Sequence, residues 1–467
     1  MDTSFHSLHE ECGVFGVFGV ENAFETVLTG LSSLQHRGQE GCGVAFTEAS
    51  GTLSVSKGPG LVSRVFPEGK RHGPSCRCAI GHVRYGTSGG RETENIQPFL
   101  FSRHGCRYAL AHNGNFVNAE ELKGMLGKSG ALFLSSSDSE IAGHMIAAEG
   151  PGRKFIDAES VRRALNRIEG AFSLLVLTPD RLYACRDKNG FRPLSVGRLG
   201  KGFVISSETC ALRAAGAEFE RDVLPGEVIE IGEDGFRSSF YSLDRRNAMC
   251  AMEYIYFARP DSDIEGINVH AFREESGKIL FEESPVRADL VTGVPDSGLS
   301  AAIGFSKASG IPLETALVKN GYVGRTFIQP TQSLREAGVR MKLSAVRSVV
   351  QGKSVVVLDD SIVRGTTSRQ IARMLREAGA TDIHMRITSP PLRHPCFYGI
   401  DISSDTELIS SRMGTEEVRR CIEVDSLAFL SEEGLLRAGR RTDLCMACFN
   451  ASYPTALYSH DPENGKV

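Results

Sequence analysis

The chain has 467 residues, too many for a single hydrophobic core, which predicts two domains of about 200 residues each. Its 53 Lys and Arg residues against 57 Asp and Glu residues give a net charge of −4 without any basic stretch, so we expect no nucleic-acid partner. The N-terminus lacks a secretory signal and no run approaches the ~20 apolar residues of a membrane span. We therefore expect a cytoplasmic protein without membrane contact, whose twelve cysteines are reduced thiols, catalytic groups or metal ligands.

The first half of the chain is predicted to mix helices and strands. Apolar residues at helical spacing predict one helix ending at Gly38 and another ending before Gly170. The spacing of Ser137 to Glu140 is typical of a capping box and predicts a third helix. Short apolar runs bounded by turn residues predict buried strands at residues 13–20, 171–178 and 203–206.

From about residue 250 the pattern changes to strand, glycine-containing loop and helix, and we place the domain boundary near residue 245. A strand over 289–294 leads into a helix that ends at Gly310, and a strand over 354–358 leads through residues 359–367 into a helix stopped by Gly379. This alternation predicts a parallel sheet with helices on both faces and ligands at the carboxyl ends of the strands.

Cys12 stands just before the first predicted strand, after eleven residues without an apolar run. Taken alone, it reads as a small buried hydrophobic residue. Three downstream segments change that reading: residues 34–40 (LQHRGQE), 82–85 (HVRY) and 112–115 (HNGN). Together they resemble the class II glutamine amidotransferases, whose nucleophile is an N-terminal cysteine. Hydrolysis of the Glu11–Cys12 bond would give this thiol its own α-amine as base, with a pKa of about 7.7 to 8.0.

The resemblance implies further roles in a glutaminase site. Asn113 and Gly114 would form the oxyanion hole, Arg84 would pair with the α-carboxylate of glutamine, and Asp138 would take its α-ammonium group. The alternative role for Asp138 is to cap the helix predicted after Ser137. We expect the nearby histidines to be structural hydrogen bonders, because an α-amine base makes a catalytic histidine unnecessary.

The segment after the strand at 354–358 has the character of a phosphate site. Asp359 and Asp360 reach the sheet edge, and a glycine- and threonine-containing turn then opens a helix whose N-terminus is suited to an anion. The segment resembles the signature of type I phosphoribosyltransferases, which bind 5-phosphoribosyl-1-pyrophosphate (PRPP). The resemblance implies PRPP binding by Asp359, Asp360, Ser361, Val363, Arg364, Gly365, Thr366 and Thr367, and by Lys319 and Arg325 of a lid. It also implies a Mg²⁺ site at Ser297, Asp359 and Asp360.

Four cysteines in the second half form the last candidate site. Cys445 and Cys448 make a C-x-x-C pair, and Cys250 and Cys396 lie far away in sequence. Spacing alone is weak evidence for a metal site. The chain resembles the Bacillus-type amidophosphoribosyltransferases along almost its whole length after residue 12, and there the matching cysteines hold a [4Fe–4S] cluster. Zinc suits the same ligands, and the sequence does not separate the two.

This family resemblance implies an architecture and a reaction. The fold expected is α/β and α+β: a propeptide over 1–11, an αββα Ntn-hydrolase glutaminase domain over 12–245, and an α/β phosphoribosyltransferase domain over 246–467. The reaction expected is transfer of the amide nitrogen of glutamine to PRPP, the first committed step of purine synthesis, in a homotetramer inhibited by purine nucleotides. Two alternatives stay open: another class II glutamine amidotransferase, and a PRPP-sensing regulator with idle catalytic residues.

Overall fold

The computed structural model describes residues 12–68, 73, 75–85, 93–103, 105–149, 156–321, 343–402 and 404–457. The strands of the first part are β1 (Gly13–Phe18), β2 (Gly41–Thr47), β3 (Leu53–Pro59), β4 (Cys78–Arg84), β5 (Phe99–Arg103), β6 (Cys106–Phe116), β7 (Gly170–Leu177), β8 (Leu182–Arg186), β9 (Ser195–Leu199), β10 (Gly202–Ser206), β11 (Glu218–Asp222), β12 (Glu227–Gly232) and β13 (Gly235–Phe240). Its helices are α1 (Ala23–Ser33), α2 (Val62–Val65), α3 (Ala119–Lys128), α4 (Asp138–Glu149), α5 (Ala158–Leu165) and α6 (Thr209–Ala214).

Two antiparallel sheets form the centre of this first part. One has the strand order β11-β9-β10-β1-β4-β2-β3 and the other β13-β12-β8-β7-β6-β5. Their facing sides share one apolar core, which includes Val14, Ile80, Ala109 and Leu175. Because each sheet has a second apolar side, α1 and α6 cover the outer side of the first, and α3, α4 and α5 cover the outer side of the second. The αββα arrangement expected from the family resemblance is therefore confirmed.

The second part contains β14 (Met249–Cys250), β15 (Asp263–Ile264), β16 (Ile267–Asn268), β17 (Leu290–Gly293), β18 (Leu317–Lys319), β19 (Leu343–Ala345), β20 (Ser354–Asp359), β21 (Asp382–Ile387), β22 (Ser426–Phe429) and β23 (Leu444–Cys445). Its helices are α7 (Val269–Glu283), α8 (Leu299–Ser309), α9 (Arg347–Val350), α10 (Thr366–Glu377), α11 (Ile409–Arg412), α12 (Thr415–Ile422), α13 (Glu432–Gly439) and α14 (Ala447–Asn450). Within the described ranges, none of the helices is both long and apolar enough to cross a membrane.

A parallel sheet of strand order β17-β20-β21-β22 organises this part, as predicted. Side chains of α7, α8 and α13 pack on one face, and side chains of α9, α10 and α12 pack on the other. The boundary placed near residue 245 falls between β13 and β14 and stays a prediction.

Several predicted elements end earlier than their apolar patterns do. The first helix ends at Ser33, and residues 35–37 form a separate 3₁₀ turn before Gly38. The helix expected to run to Ile168 ends at Leu165. In both places the last apolar residue of the pattern, Leu34 or Ile168, is buried in the core although it lies beyond the end of the helix. The apolar spacing therefore extends further along the chain than the helix does.

Candidate functional site

Cys12 immediately precedes β1, which lies between β4 and β10 in the first sheet. The register pairs Gly13 with Val83, so Cys12 lies beside the end of β4. Its Sγ is 3.5 Å from the carbonyl oxygen of Tyr85, and its own carbonyl accepts a hydrogen bond of 3.1 Å from Arg37 Nε. The thiol is half-buried, whereas Arg37 is fully buried.

Arg84 is the last residue of β4 and is buried close to Cys12. The turn at residues 35–38 packs directly on this strand end: a Cβ on Gly38 would lie 2.6 Å from the carbonyl carbon of Arg84. Only a glycine permits this approach. The segment 34–40 therefore folds against the same strand end that presents Arg84.

Asn113 and Gly114 lie on β6 of the second sheet. The ring nitrogen Nε2 of His82 is 3.0 Å from the carbonyl oxygen of His112, which joins β4 to β6 beside Cys12. The Nδ2 of Asn113 is buried and has no hydrogen-bond partner among the described residues. A buried donor without a partner is costly in a folded protein, so this amide is suited to an incoming acceptor.

The position of Gly114 excludes any side chain. Its φ is +150°, and a Cβ there would lie 1.9 Å from the carbonyl oxygen of Ala171 on β7. The backbone at this point of β6 therefore takes a conformation that L-residues rarely adopt.

Asp138 is the first residue of α4 and is buried. Its Oδ2 accepts a hydrogen bond of 2.9 Å from the backbone N–H of Phe116, and its Oδ1 is 3.8 Å from His112 Nδ1. The carboxylate therefore faces the end of β6, two residues beyond Gly114. Glu140, the other acidic residue of the predicted capping box, accepts hydrogen bonds from the backbone N–H groups of Leu134 and Ser135.

The three histidines of the motifs make structural contacts. His36 pairs with Glu208 at 2.7 Å. Burial, with a smaller contribution from Arg84, lowers the pKa of His82 to about 3, and burial also lowers the pKa of His112. Both rings are therefore neutral at pH 7.

A cavity of about 530 Å³ lies at the carboxyl edge of the parallel sheet. It is lined by every residue predicted to bind PRPP or Mg²⁺ within the described part of the chain: Ser297, Lys319, Asp359, Asp360, Ser361, Val363, Arg364, Gly365, Thr366 and Thr367. Arg325 and most of the predicted lid lie outside the described residues.

Asp359 and Asp360 are both buried at the end of β20. Burial, and then repulsion from Asp360, raises the pKa of Asp359 well above its ordinary value. Burial also raises the pKa of Asp360, opposed by hydrogen bonds from Ser297 and Ser361, the latter at 2.5 Å. Two buried carboxylates with a neighbouring hydroxyl fit a divalent cation, which would remove the repulsion between them.

The turn that follows opens α10 at the cavity. Gly365 has a φ of +77°, and α10 begins at the next residue, so its first N–H groups face the cavity lined by Thr366 and Thr367. Such a helix N-terminus is suited to a phosphate group. Two basic side chains that line the cavity form ion pairs: Arg364 with Glu407 at 2.7 Å, and Lys319 with Asp296 at 2.5 Å.

The four cysteines of the second part come together. Cys250 on β14 is the register partner of Cys445 on β23, Cys448 lies in α14, and Cys396 lies between β21 and α11. Burial raises the pKa of Cys448 well above its ordinary value, and the other three thiols raise it further, so each of the three lies within electrostatic reach of Cys448.

Thiolate donors of this number fit a [4Fe–4S] cluster, and zinc suits the same donors. Among the described residues, no group of three or more His, Cys, Asp or Glu side chains has the arrangement of a site for a metal ion.

Arg37 connects the two candidate sites. It donates to the carbonyl of Cys12, and it also lines the 530 Å³ cavity together with Tyr256 and Phe257 of the second part. Its guanidinium pairs with Glu208 and Glu253, which are equally buried. The sequence motifs predict no role for Arg37, Glu208 or Glu253. The arginine inside the HRG segment was the available signal, whereas the two glutamates carry no local pattern.

Two family models match the first part of the chain: "Glutamine amidotransferase domain" over residues 85–214, and "Glutamine amidotransferases class-II" over residues 20–148. Amidophosphoribosyltransferase from Bacillus subtilis (strain 168) is 52% identical over 97% of this chain and 95% of its own length. The enzyme of the same name from Staphylococcus aureus (strain MRSA252) is 46% identical over 98% of this chain and 94% of its own length.

Solved structures agree with these sequence comparisons. The glutamine PRPP amidotransferase from B. subtilis complexed with ADP and GMP superimposes with a TM-score of 0.90 at 51% identity, covering 96% of this chain and 98% of that one. A structure described as the allosteric regulatory enzyme of purine biosynthesis gives a TM-score of 0.91 at 52% identity, covering 96% and 97%. The resemblance read from the motifs is confirmed, and the chain belongs to the amidophosphoribosyltransferase family.

Proposed function

We propose that the protein transfers the amide nitrogen of glutamine to PRPP, giving 5-phosphoribosylamine, glutamate and pyrophosphate in the first committed step of purine synthesis. One observation carries the proposal. Arg37 contacts the backbone of the candidate nucleophile and also lines the cavity that contains the candidate PRPP residues. The candidate glutaminase site and the candidate phosphate site therefore share a buried residue in one chain, which supports coupled reactions.

Glutamine hydrolysis is the first half-reaction. After removal of residues 1–11, the α-amine of Cys12 would take the proton of its own thiol, and Sγ would attack the amide carbon of glutamine. The oxyanion would be held by Asn113 Nδ2 and Gly114 N–H, each worth about 10² to 10³ in rate. Arg84 and Asp138 would hold the amino-acid end. The thioester would then be hydrolysed by water, releasing glutamate after ammonia has left.

Attack of ammonia on C1 of PRPP is the second half-reaction, with pyrophosphate as leaving group. Asp359 and Asp360 would accept hydrogen bonds from the ribose hydroxyls, and the N-terminus of α10 would hold the 5′-phosphate. Ser297, Asp359 and Asp360 would also hold Mg²⁺, which neutralises charge on the departing pyrophosphate when bound. Lys319 and Arg325 would add positive charge from the lid.

The contact between the sites suits ammonia as the shared intermediate. Ammonia released into water is largely protonated at pH 7 and loses the lone pair that attacks C1. Passage from Cys12 towards the cavity, which Arg37, Tyr256 and Phe257 line, would keep the nitrogen away from bulk solvent. This arrangement supports transfer within the protein.

A [4Fe–4S] cluster is our proposal for the four cysteines. Such a cluster is larger than a single ion, so its ligands do not need the compact shell required by Zn²⁺. Ligation by Cys250, Cys396, Cys445 and Cys448 would tie the last helices to β14. Neither half-reaction transfers electrons, so the cluster would be structural.

Regulation and assembly of this chain are proposed by analogy with the family. The B. subtilis structure holds ADP and GMP, which supports purine nucleotides as inhibitors of this chain. We also carry over the homotetramer, the cytoplasmic location, the domain limits 12–245 and 246–467, and removal of the propeptide 1–11.

Substitution of the nucleophile separates the two half-reactions. Cys12→Ala should lower glutamine-dependent pyrophosphate release at least about 10³-fold, because no other group replaces the thiol. Release driven by ammonium salt at high pH should persist, because the PRPP residues are untouched. The exposed Cys421→Ala is the control and should keep both activities.

Folded Cys12→Ala protein that lacks both activities would contradict separable sites. Intact mass gives an independent test: active wild-type enzyme that still carries residues 1–11 would contradict the assignment of Cys12 as nucleophile.

Removal of one acid from the buried pair should stabilise the metal-free protein. The folded-state pKa of both carboxyls is raised, so stability is lost as pH rises from the unfolded pKa of about 3.9. In EDTA at pH 8, Asp359→Asn should therefore raise Tm by at least about 2 °C, and the gain should shrink towards pH 5. Scanning calorimetry measures this gain, and Mg²⁺-dependent activity should fall.

The control for this substitution is Asp382→Asn, which removes an exposed carboxylate from the neighbouring strand and should change Tm little at either pH. A lower Tm for Asp359→Asn at pH 8 would show that the two carboxylates do not repel.

Iron content tests the cysteine assignment. Anaerobically purified protein should contain four iron and four sulfide per chain in a [4Fe–4S] cluster, and Cys448→Ser should lose most of both with a lower Tm. Cys42→Ser, at an equally buried thiol in the first sheet, should keep its iron. Stoichiometric zinc in place of iron would overturn the assignment.

A further inference from the structure

Glu253 stands at the centre of a buried group of four charges between the two parts of the chain. Its Oε1 and Oε2 accept hydrogen bonds of 2.7 and 3.0 Å from the two terminal nitrogens of Arg37. Its Oε1 is also 3.5 Å from Arg192 Nη1. Arg37 pairs in addition with Glu208 at 2.7 Å. The four side chains are fully buried and carry two charges of each sign, so the group is balanced only while all four are present.

One arm of this group reaches the nucleophile. Arg37 Nε donates to the carbonyl oxygen of Cys12 at 3.1 Å. Because a guanidinium is planar, two hydrogen bonds from its terminal nitrogens to Glu253 fix the direction in which Nε points. Glu253 therefore sets where the backbone of Cys12 is held.

The second arm reaches the oxyanion hole. Arg192 Nη2 donates to the carbonyl oxygen of Tyr398. The next residue, Gly399, lies against Gly114: a Cβ on it would be 3.1 Å from Arg192 Nη2 and 3.3 Å from the carbonyl carbon of Gly114. Arg192 of the first part thus holds the backbone at Tyr398 and Gly399 of the second part, which lies behind Gly114.

The segment that carries Glu253 is anchored independently of these arms. Glu253–Phe257 is π-helical, a form often found at functional sites. Arg273 donates to the carbonyl oxygens of Tyr254 and Ala258, and the Tyr254 hydroxyl donates to the carbonyl of Ile264. We therefore expect Tyr256 and Phe257, which line the 530 Å³ cavity, to keep their places when the Glu253 carboxylate is replaced.

We propose that Glu253 is a positioning residue for glutamine hydrolysis. It holds Cys12 through Arg37 and Gly114 through Arg192, and so fixes the position of the thiol relative to the oxyanion hole. The inference rests on the proposed function. It places a determinant of the first half-reaction in the part of the chain that performs the second. A glutamine at this position would place its NH₂ group against one of the two guanidinium groups. At least one of the contacts with Arg37 and Arg192 would then be lost.

Glu253→Gln tests the inference with three measurements. The glutamine-dependent kcat should fall about 10- to 100-fold, because a misplacement of reacting groups by about 1 Å can cost about 10²-fold in rate. The KM for glutamine should change less than about threefold, since Glu253 is proposed to act through Arg37 and Arg192 and not through Arg84 and Asp138, the residues proposed to hold glutamine. The ammonia-dependent kcat and the KM for PRPP should stay within about threefold of wild type. Alkylation of Cys12 by iodoacetamide, read by peptide mass, should be slowed.

Glu265→Gln is the matched control. Glu265 also joins the two parts through a largely buried ion pair, with Arg186 at 2.6 Å, but neither residue contacts Cys12 or Gly114 in any of the described hydrogen bonds. This variant should lose comparable thermal stability and keep its glutamine-dependent kcat.

Two outcomes would overturn the inference: an unchanged glutamine-dependent kcat in Glu253→Gln, or an equal fall in the glutamine- and ammonia-dependent rates. If the variant does not fold, Glu253→Asp keeps the charge but is too short for both arms, and the same selective loss is expected. A wild-type enzyme that does not consume glutamine would contradict the proposed function instead.

Discussion

The buried charges of Arg37, Arg192, Glu208 and Glu253 constrain the whole molecule. Removing an ion from water costs several kcal/mol even after relaxation, so these side chains are tolerated only when each meets an opposite charge. Glu253 belongs to the second part of the chain and the other three to the first. The two parts therefore satisfy these charges together in one docked arrangement, which also brings Cys12 and the PRPP cavity to the same junction.

Both candidate sites keep polar groups that the fold does not satisfy. The amide of Asn113 is buried with no acceptor in the described structure, and Asp359 and Asp360 repel each other in a buried position. Such groups reduce stability, in contrast to the charge group at the junction, which is balanced. Their cost is offset only when an oxyanion or a cation arrives, which is the arrangement expected where binding and catalysis take place.

Local patterns in the sequence predicted much of this fold. The parallel sheet, the strand at β20 and the helix after residue 365 follow from apolar runs, turns and helical spacing. Residues at the cavity were found because a strand end delivers neighbouring residues to one edge. The pairing of β1 with β4 and β10 was not predictable, since the residues of these two strands lie about 60 and 190 residues further along the chain. Likewise Glu253, Arg192 and Gly399 meet only in the folded chain and carry no motif.

The proposed coupling of the two sites requires that nitrogen pass from Cys12 to C1 of PRPP without entering solvent. The direct measurement uses glutamine labelled with ¹⁵N at the amide, PRPP and an excess of unlabelled ammonium at neutral pH, with the ¹⁵N fraction of the phosphoribosylamine read by mass spectrometry. Transfer within the protein should give a product that carries ¹⁵N almost undiluted. A product with the isotope ratio of the bulk ammonium pool would contradict it.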